Sequence, residues 1–128
     1  MTDPRWSALV SRRRGGLFHS PPWLGAVQDA YGFPLRAGVV LDADGQPSAG
    51  IPYACLEGLS APRLVAAPFC DTCDPLFECP EEWDQLLAAL AAHGLPVHLR
   101  CLDADLLEPD RLLTTKRARW HTISLGEC

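Results

Sequence analysis

The residues of this chain that are best able to do chemistry are crowded into one stretch, residues 70–79. Cys70, Cys73 and Cys79 follow a Cys-x-x-Cys-x5-Cys spacing, and Asp71 and Asp74 lie among them. Two thiolates at Cys-x-x-Cys spacing can bind zinc or exchange electrons as a dithiol. A carboxylate in a loop after a strand can accept a proton from an attacking amine or bind an ammonium group. The stretch therefore offers metal binding, redox exchange and acid–base chemistry.

The sequence does not supply all that a metal site or a redox site needs. A closed zinc site needs four ligands, and the candidates for the fourth, His93, His98 and Cys101, lie on a helix end and a strand with no second Cys-x-x-Cys pair. A redox pair is expected at a helix N-terminus, where the dipole lowers a thiol pKa, whereas this pair precedes acidic residues that should raise it. We therefore assign no metal ligand, and a zinc-stabilised domain stays a third alternative.

The candidate carboxylates, histidine and tryptophan each have a structural and a functional interpretation. Asp71 and Asp74 follow a predicted strand in a turn with Pro75, where they can contact a substrate or form Asx turns with their own backbone. His19 lies just before a helix start, where it can meet substrate or hydrogen-bond the unpaired N–H groups of the helix. Trp23 begins an apolar stripe, which is typical of a core residue, or it lines a pocket.

Two helices and a three-stranded meander are predicted before residues 70–79. Asp3 with Pro4, and Ser20 with Pro21, each combine an N-cap residue with proline at the first helical position, and apolar residues follow at helical spacing. Gly32 stands where a left-handed cap closes the second helix. Strands are predicted over residues 36–41, 48–57 and 63–69, with an Asp-Gly turn after the first.

A third helix and further strands complete the predicted order. Pro80 begins this helix, Glu81 and Glu82 lie in its first turn, where the dipole favours negative charge, and Gly94 ends it. A strand over 97–102, a helical turn over 106–113 and a last strand over 120–125 follow. The order α-α-β-β-β-α-β-(α)-β predicts an α/β fold in which helices cover both faces of a mixed central sheet.

Composition and charge narrow the class of protein. The chain has 128 residues, 48% of them hydrophobic and 21% charged, which favours a single domain whose six cysteines need not be paired. The net charge of −5 argues against a DNA-binding module, because polyanion binding needs an excess of Lys and Arg. No apolar run reaches the roughly 18 residues of a membrane span, and the N-terminus lacks a signal-peptide pattern. A bacterial, cytoplasmic location is therefore expected.

Four stretches of the chain resemble the N-terminal half of FemAB-type and related GNAT acyltransferases, bacterial enzymes that attach amino acids or acyl groups to peptidoglycan precursors and other cell-envelope components. The stretches are Trp6 with Leu9-Val10, Leu17–Leu24 leading to Tyr31-Gly32, Ala49–Pro52, and Arg63–Leu76. They are similar in order and spacing to the family's Phe-His-Ser-Pro-x-Trp helix start, its Gly-x-Pro strand and its Pro-Phe-x-Asp-x-Cys-x-Pro-Leu segment. The resemblance implies one GNAT-like domain over residues 1–128, half of a two-domain transferase.

The resemblance also implies a reaction, in which a substrate amine attacks an activated acyl or aminoacyl ester. The donor would be acyl-CoA or aminoacyl-tRNA, and the acceptor a small molecule or a cell-envelope precursor. Asp71 would contact the acceptor amine or remove its proton. The residues expected to line the cleft are His19, Ser20, Trp23 and Asp74.

The Gly-rich loop that would hold a donor pyrophosphate at a helix N-terminus is missing from the sequence. The nearest string, Arg12–Leu17, departs from the family pattern at its last position and follows a helix instead of a strand. We therefore assign no cofactor and expect the substrate-side half, completed by a second GNAT-like domain or a homodimer partner. The alternative from a different class is a non-catalytic binding or interaction module that keeps the fold and lacks the donor site.

Overall fold

The structure, a computed structural model, describes residues 3–57, 61–102, 112–117 and 119. In this part of the chain the helices are α1 (Pro4–Arg12), α2 (Pro21–Tyr31) and α3 (Pro80–Ala91), and the strands are β1 (Leu35–Leu41), β2 (Pro47–Leu56), β3 (Arg63–Ala66) and β4 (Val97–His98). The predicted order is confirmed as far as β4. The helical turn over 106–113 lies outside the described residues except for its non-helical end at Leu112 and Leu113, and the strand over 120–125 lies wholly outside them.

The first two helices begin at the predicted caps. The Asp3 carboxylate accepts a hydrogen bond from the Arg5 N–H at 2.9 Å, and Ser20 Oγ accepts one from the Trp23 N–H at 3.4 Å. Each helix has proline in its first turn, where the missing N–H leaves no bond unmade. Gly32 closes α2 in the left-handed conformation, with φ of 71°. Within the described residues, no helix is long and apolar enough to cross a membrane.

One mixed sheet, in the order β1-β2-β3-β4, forms the centre of the fold. β1 and β2 are an antiparallel hairpin whose turn is closed by a hydrogen bond from the Asp42 N–H to the Gln46 oxygen, at 2.8 Å. β3 pairs antiparallel with β2, and β4 pairs parallel with β3 after the chain has crossed over through α3. The predicted mixed sheet is confirmed.

Neighbouring residues of a strand point to opposite sides of the sheet, and in this fold both sides are apolar and are covered by helices. The face toward α1 and α2 is buried by Trp6, Leu9, Leu24, Val27, Leu35 and Ala54. The face toward α3 is buried by Ala49, Ile51, Tyr53, Leu64, Trp83, Leu86 and Leu90. The three-layer α/β arrangement predicted from the order of elements is therefore present.

Gly50 allows α1 to approach β2 closely. A Cβ atom at this position would lie 2.6 Å from Leu9 Cδ2, 2.8 Å from the Gly38 oxygen and 3.0 Å from Trp6 Cζ3. Carbon atoms pack at about 3.5–4.0 Å, so any larger residue at position 50 must displace helix or strand. The glycine of the Gly-x-Pro strand is thus explained by the packing of α1.

Two neighbouring strands, β3 and β4, are shorter than predicted at their carboxyl ends. The strand predicted over 63–69 stops at Ala66, because Ala67 and Phe69 adopt positive φ angles of 36° and 65°, which no strand accommodates. The strand predicted over 97–102 keeps its ladder only at Val97–His98. Beyond that point the Arg100 oxygen accepts a hydrogen bond from Cys73, in the loop, at 2.7 Å.

Arg13, at the C-terminal cap of α1, joins three elements that are far apart in the sequence. Its Nε donates to the Ser48 oxygen at the start of β2, at 2.9 Å. Its guanidinium also forms ion pairs with Glu78 and with Glu82 in the first turn of α3. The Arg13 side chain is only 14% exposed and thus ties the end of α1 to β2 and α3.

Candidate functional site

The candidate site is the loop of residues 67–76, which follows β3 and is called the β3 loop below. It begins at the carboxyl end of β3, beside the carboxyl end of the parallel strand β4. In open α/β sheets, ligands bind at the carboxyl ends of the strands, since the loops there can carry polar groups that the strands hold in place. The sequence-predicted residues Asp71 and Asp74 both lie in this loop.

A tight and strained turn starts the loop. The Ala67 N–H makes a last hydrogen bond to the Pro52 oxygen of β2 at 3.0 Å, and the Cys70 N–H then bonds back to the Ala67 oxygen at 3.3 Å. Ala67 and Phe69 have left-handed backbones, which cost of the order of 1–3 kcal/mol each in residues other than glycine. Such a turn persists only where surrounding contacts determine it.

Those contacts come first from the segment after β4. The Cys73 N–H donates to the Arg100 oxygen at 2.7 Å, and Arg100 Nη1 donates back to the Cys70 oxygen at 3.4 Å. The Asp74 carboxylate accepts a hydrogen bond from the Leu102 N–H at 2.7 Å. Asp74 therefore fastens the loop to the residues after β4.

The loop is fastened at its far end to β2. The Leu76 N–H donates to the Gly50 oxygen and the Gly50 N–H donates to the Leu76 oxygen, both at 2.8 Å. This pair is an isolated antiparallel bridge. Because both ends of the loop are bonded to the sheet, its exposed residues are held on a fixed backbone.

His19 fastens the middle of the loop to the start of α2. Its Nδ1 accepts a hydrogen bond from the Gly16 N–H at 3.1 Å, so the ring proton lies on Nε2, which donates to the Asp74 oxygen at 2.7 Å. The ring is 7% exposed, and the His19 backbone oxygen accepts the indole N–H of Trp6 at 2.8 Å. Both ring nitrogens are thus engaged within the protein, although the N–H group that the ring accepts belongs to Gly16, ahead of the short 3-10 helix Leu17–His19, and not to α2.

Ser20 and Trp23 lie beside His19 at the start of α2. Ser20 is the N-cap, and the half-buried ring of Trp23 meets Phe18 edge to face with centroids 5.3 Å apart. The indole Nε1 of Trp23 is buried and has no hydrogen-bond partner among the described residues. Phe18 in turn covers the buried cluster of Ala67, Cys70 and Cys73. The structure thus brings the predicted helix-start residues close to the β3 loop.

Asp71 is the exposed carboxylate of the loop, and Phe69, two residues before it, belongs to an exposed aromatic pair. The rings of Phe69 and Tyr31 stack face to face with centroids 3.9 Å apart, although they are 52% and 54% exposed, and Phe33 lies parallel to both. Carboxylates and aromatic faces both attract ammonium groups. The sequence analysis missed this pair, since no spacing pattern connects the end of α2 with the turn after β3.

The thiols of Cys70 and Cys73 lie beneath the exposed part of the loop. Cys70 Sγ donates to the Ala67 oxygen at 2.6 Å, and Cys70 and Cys73 pack with Ala67 in one buried cluster. Hydrogen bonding from Cys73 and the charge of Arg100 lower the pKa of Cys70, whereas hydrogen bonding with Cys70, burial and the charge of Asp74 raise the pKa of Cys73. The expectation that acidic neighbours raise both pKa values is therefore wrong for Cys70.

Cys79 does not join this pair. It occupies the N-cap position of α3, and no group of three or more His, Cys, Asp or Glu side chains converges on a metal-sized site in the described part of the chain. Cys101 lies near the pair, and burial together with Asp74 raises its pKa to about 12. The thiols at the site thus form a dithiol with a third, poorly ionised neighbour.

A groove of about 440 Å³ lies elsewhere, at the edge strand β1. Its lining includes Asp3, Arg5, Trp6, Leu35 and Arg36, and none of the sequence-predicted site residues is among the lining residues. The β3 loop is therefore an exposed surface rather than the wall of this groove.

The chain was compared with protein-family models, with curated proteins and with solved structures, and no match was found in any of the three comparisons. The architecture and the site are accordingly interpreted from the residues of this chain. The resemblance drawn from its motifs stays a prediction.

Proposed function

We propose that this chain is the acceptor-binding half of a GNAT- or FemAB-like N-acyltransferase. The observation that carries the proposal is the exposed Asp71 on a loop whose backbone is fixed on both sides, at the carboxyl ends of the parallel strands β3 and β4. The stacked rings of Tyr31 and Phe69 supply an exposed aromatic surface, and Phe69 precedes Asp71 by two residues in the same loop. Together they suit an acceptor that carries a primary amine, such as a small amine or an amine-bearing cell-envelope precursor.

In this proposal Asp71 binds the acceptor in its ammonium form and orients it. The ammonium group loses one proton to Asp71 or to water, and the resulting amine attacks the carbonyl of the acyl or aminoacyl ester. An amide bond forms as the bond from the carbonyl carbon to the donor sulfur or oxygen breaks, and the donor leaves as a free thiol or alcohol that takes up the second amine proton. Most of the rate gain comes from holding amine and ester in line, because alignment of two reactants replaces a bimolecular encounter. The exposure of Asp71 means that a covering surface must exclude water before transfer takes place.

The region between α1 and α2 supports an acceptor half rather than a complete enzyme. The Gly15 N–H donates to the Val10 oxygen at 2.9 Å, and the Gly16 N–H donates to His19 at 3.1 Å. A phosphate-binding loop needs several free backbone N–H groups directed at one anion. The glycines nearest to such a loop in sequence thus have their N–H groups already used. Acyl-CoA or aminoacyl-tRNA would bind to a second GNAT-like domain or a homodimer partner.

Calorimetric titration tests this proposal. The folded chain is titrated with a lysine-containing peptide, with the same peptide acetylated on its side-chain amine, and with acetyl-CoA. We expect the free amine to bind at least about tenfold more tightly than the acetylated peptide, since a charged hydrogen bond is lost, and acetyl-CoA to give no binding heat. Equal affinity for the two peptides, or no binding of either, would contradict the proposal.

A non-catalytic interaction module is the second candidate. The engaged N–H groups of Gly15 and Gly16 favour it equally, since a binding module needs no donor site. It predicts that a peptide ligand binds whether or not its amine is acetylated, because no amine has to be presented for attack. The comparison of the two peptides therefore separates the two candidates.

A further inference from the structure

Cys70 and Cys73 are positioned as one chemical unit. They lie three residues apart in the β3 loop, and they are 3% and 1% exposed. Together with Ala67 they form a separate small buried cluster covered by Phe18. No third ligand completes a metal site around them in the described residues.

The surroundings of the two sulfur atoms differ. Arg100 lies beside Cys70, with Nη1 3.4 Å from the Cys70 oxygen, and its charge favours the Cys70 thiolate. Asp71 opposes that effect on Cys70, and Asp74 disfavours ionisation of both Cys73 and Cys101. The net result is a lowered pKa for Cys70 and a raised pKa for Cys73. Cys70 therefore ionises more readily than Cys73 and is the better nucleophile of the two.

We propose that Cys70 and Cys73 form a peroxide-sensitive dithiol that closes reversibly into an intramolecular disulfide. The Cys-x-x-Cys spacing, the packing of both cysteines in one buried cluster and the guanidinium beside Cys70 carry the proposal. Hydrogen peroxide is the oxidant, because it is little larger than water and Cys70 is only 3% exposed. The proposal does not depend on acyl transfer.

The reaction proceeds in two steps. The Cys70 thiolate attacks one oxygen of hydrogen peroxide, the O–O bond breaks, and Cys70 sulfenic acid and, after protonation, one water molecule are formed. The Cys73 sulfur then attacks the Cys70 sulfur, and its proton leaves with the displaced hydroxide as a second water. Two thiols lose two electrons in total, and one peroxide gains them. A dithiol reductant reverses the change.

The disulfide would alter the turn above it. In the reduced chain the Cys70 thiol donates its hydrogen to the Ala67 oxygen at 2.6 Å. Disulfide formation removes that hydrogen, so the turn that holds Ala67 and Phe69 at positive φ loses one of its bonds. Oxidation would therefore change the position of Phe69 and its stacking on Tyr31.

Thiol counting and peptide mapping test the proposal on the native chain. The protein is treated with hydrogen peroxide, unfolded, alkylated and digested with trypsin. Cys70, Cys73 and Cys79 fall in one tryptic fragment, since no Lys or Arg lies between Arg63 and Arg100. We expect two of the six cysteines to escape alkylation, and this fragment to carry a Cys70–Cys73 link and one alkyl group on Cys79, so that it weighs two hydrogen atoms less than the reduced fragment alkylated once. Dithiothreitol should restore both alkylations.

Two variants sharpen the test. Cys73→Ser should leave Cys70 as a sulfenic acid that a dimedone probe captures, whereas Cys79→Ser should still form the link. Six alkylated cysteines after treatment of the native chain would overturn the proposal, and so would a link that involves Cys79 or Cys101. Because the mapping of the native chain decides by itself, the test holds even if Cys73→Ser does not fold.

Discussion

His19 Nε2 donates a hydrogen bond to the backbone oxygen of Asp74 at 2.7 Å, and this bond ties the start of α2 to the loop that presents Asp71. The same ring accepts the Gly16 N–H on Nδ1, so both nitrogens are used inside the protein. A histidine that the sequence offers as a substrate residue thus holds the backbone of the candidate site.

Replacing His19 should therefore lower stability. His19→Ala leaves the Gly16 N–H and the Asp74 oxygen without their partner and opens a cavity at a residue that is 7% exposed. We expect the free energy of unfolding to fall by about 2–4 kcal/mol. Urea unfolding followed by circular dichroism measures it. The exposed His98→Ala serves as the control, with a change within about 0.5 kcal/mol; equal effects of the two variants would contradict this assignment.

Two glycine variants should change stability in opposite directions. Gly50→Ala places a Cβ 2.6 Å from Leu9 Cδ2 and 2.8 Å from the Gly38 oxygen, so we expect a loss of about 1–3 kcal/mol. Gly25→Ala, inside α2 with nothing within 4 Å of the new Cβ, should stabilise the chain by about 0.5–1 kcal/mol. Thermal unfolding of both variants is the measurement, and a Gly50→Ala protein as stable as the parent would refute the close approach of α1.

Arg12 and Arg13, at the end of α1, provide another matched pair of variants. Arg13→Ala removes the bond to the Ser48 oxygen and leaves Glu82, whose side chain is 15% exposed, without its cation. We expect a loss of about 2–3 kcal/mol, because an unpaired charge stays partly buried. Arg12→Ala removes an exposed ion pair with Asp42 at 3.6 Å and should cost less than about 1 kcal/mol. Denaturant midpoints that fall equally in both variants would argue against this difference.

The N-cap of α1 should contribute to the pH dependence of stability. Hydrogen bonds from the side chain and N–H of Arg5 lower the pKa of Asp3 from 3.8 to about 2 in the folded chain. A lowered folded-state pKa adds stability above the unfolded pKa, and this contribution is lost as the pH falls from 3.8 to about 2. Asp3→Asn keeps a capping oxygen and removes the titration. Its unfolding free energy should decline less steeply over this range, and parallel curves for variant and parent would contradict the assignment.

The sequence predicts most of the scaffold, because local rules decide it. Asp3 and Ser20 cap their helices, Gly32 closes α2 in the left-handed conformation, and Pro80 begins α3 as expected. The Asp42–Gln46 turn closes the predicted hairpin. Each of these features depends on residues that are neighbours in the chain, which is why pattern and structure agree.

The features that shape the site depend on contacts between distant residues. Ala67 ends β3 early because its loop bonds to Arg100 and Leu102, and nothing near Ala67 in the sequence indicates a left-handed backbone. The lowered pKa of Cys70 depends on hydrogen bonding from Cys73 and on the charge of Arg100, which lies 30 residues further along the chain. The stacking of Tyr31 on Phe69 joins α2 to the β3 loop without any periodic signal.

An acceptor amine that binds at the β3 loop through Asp71 should leave a local signature in the spectrum of the chain. Nuclear magnetic resonance titration of the ¹⁵N-labelled chain with the lysine-containing peptide locates the binding site. We expect amide shifts confined to residues 67–76 and 31–33, and an affinity reduced at least about tenfold in Asp71→Asn but unchanged in Asp44→Asn, an exposed aspartate of the β1–β2 turn. Shifts centred on Asp3, Arg5 and Arg36 in the groove beside β1, or an unchanged affinity in Asp71→Asn, would contradict it.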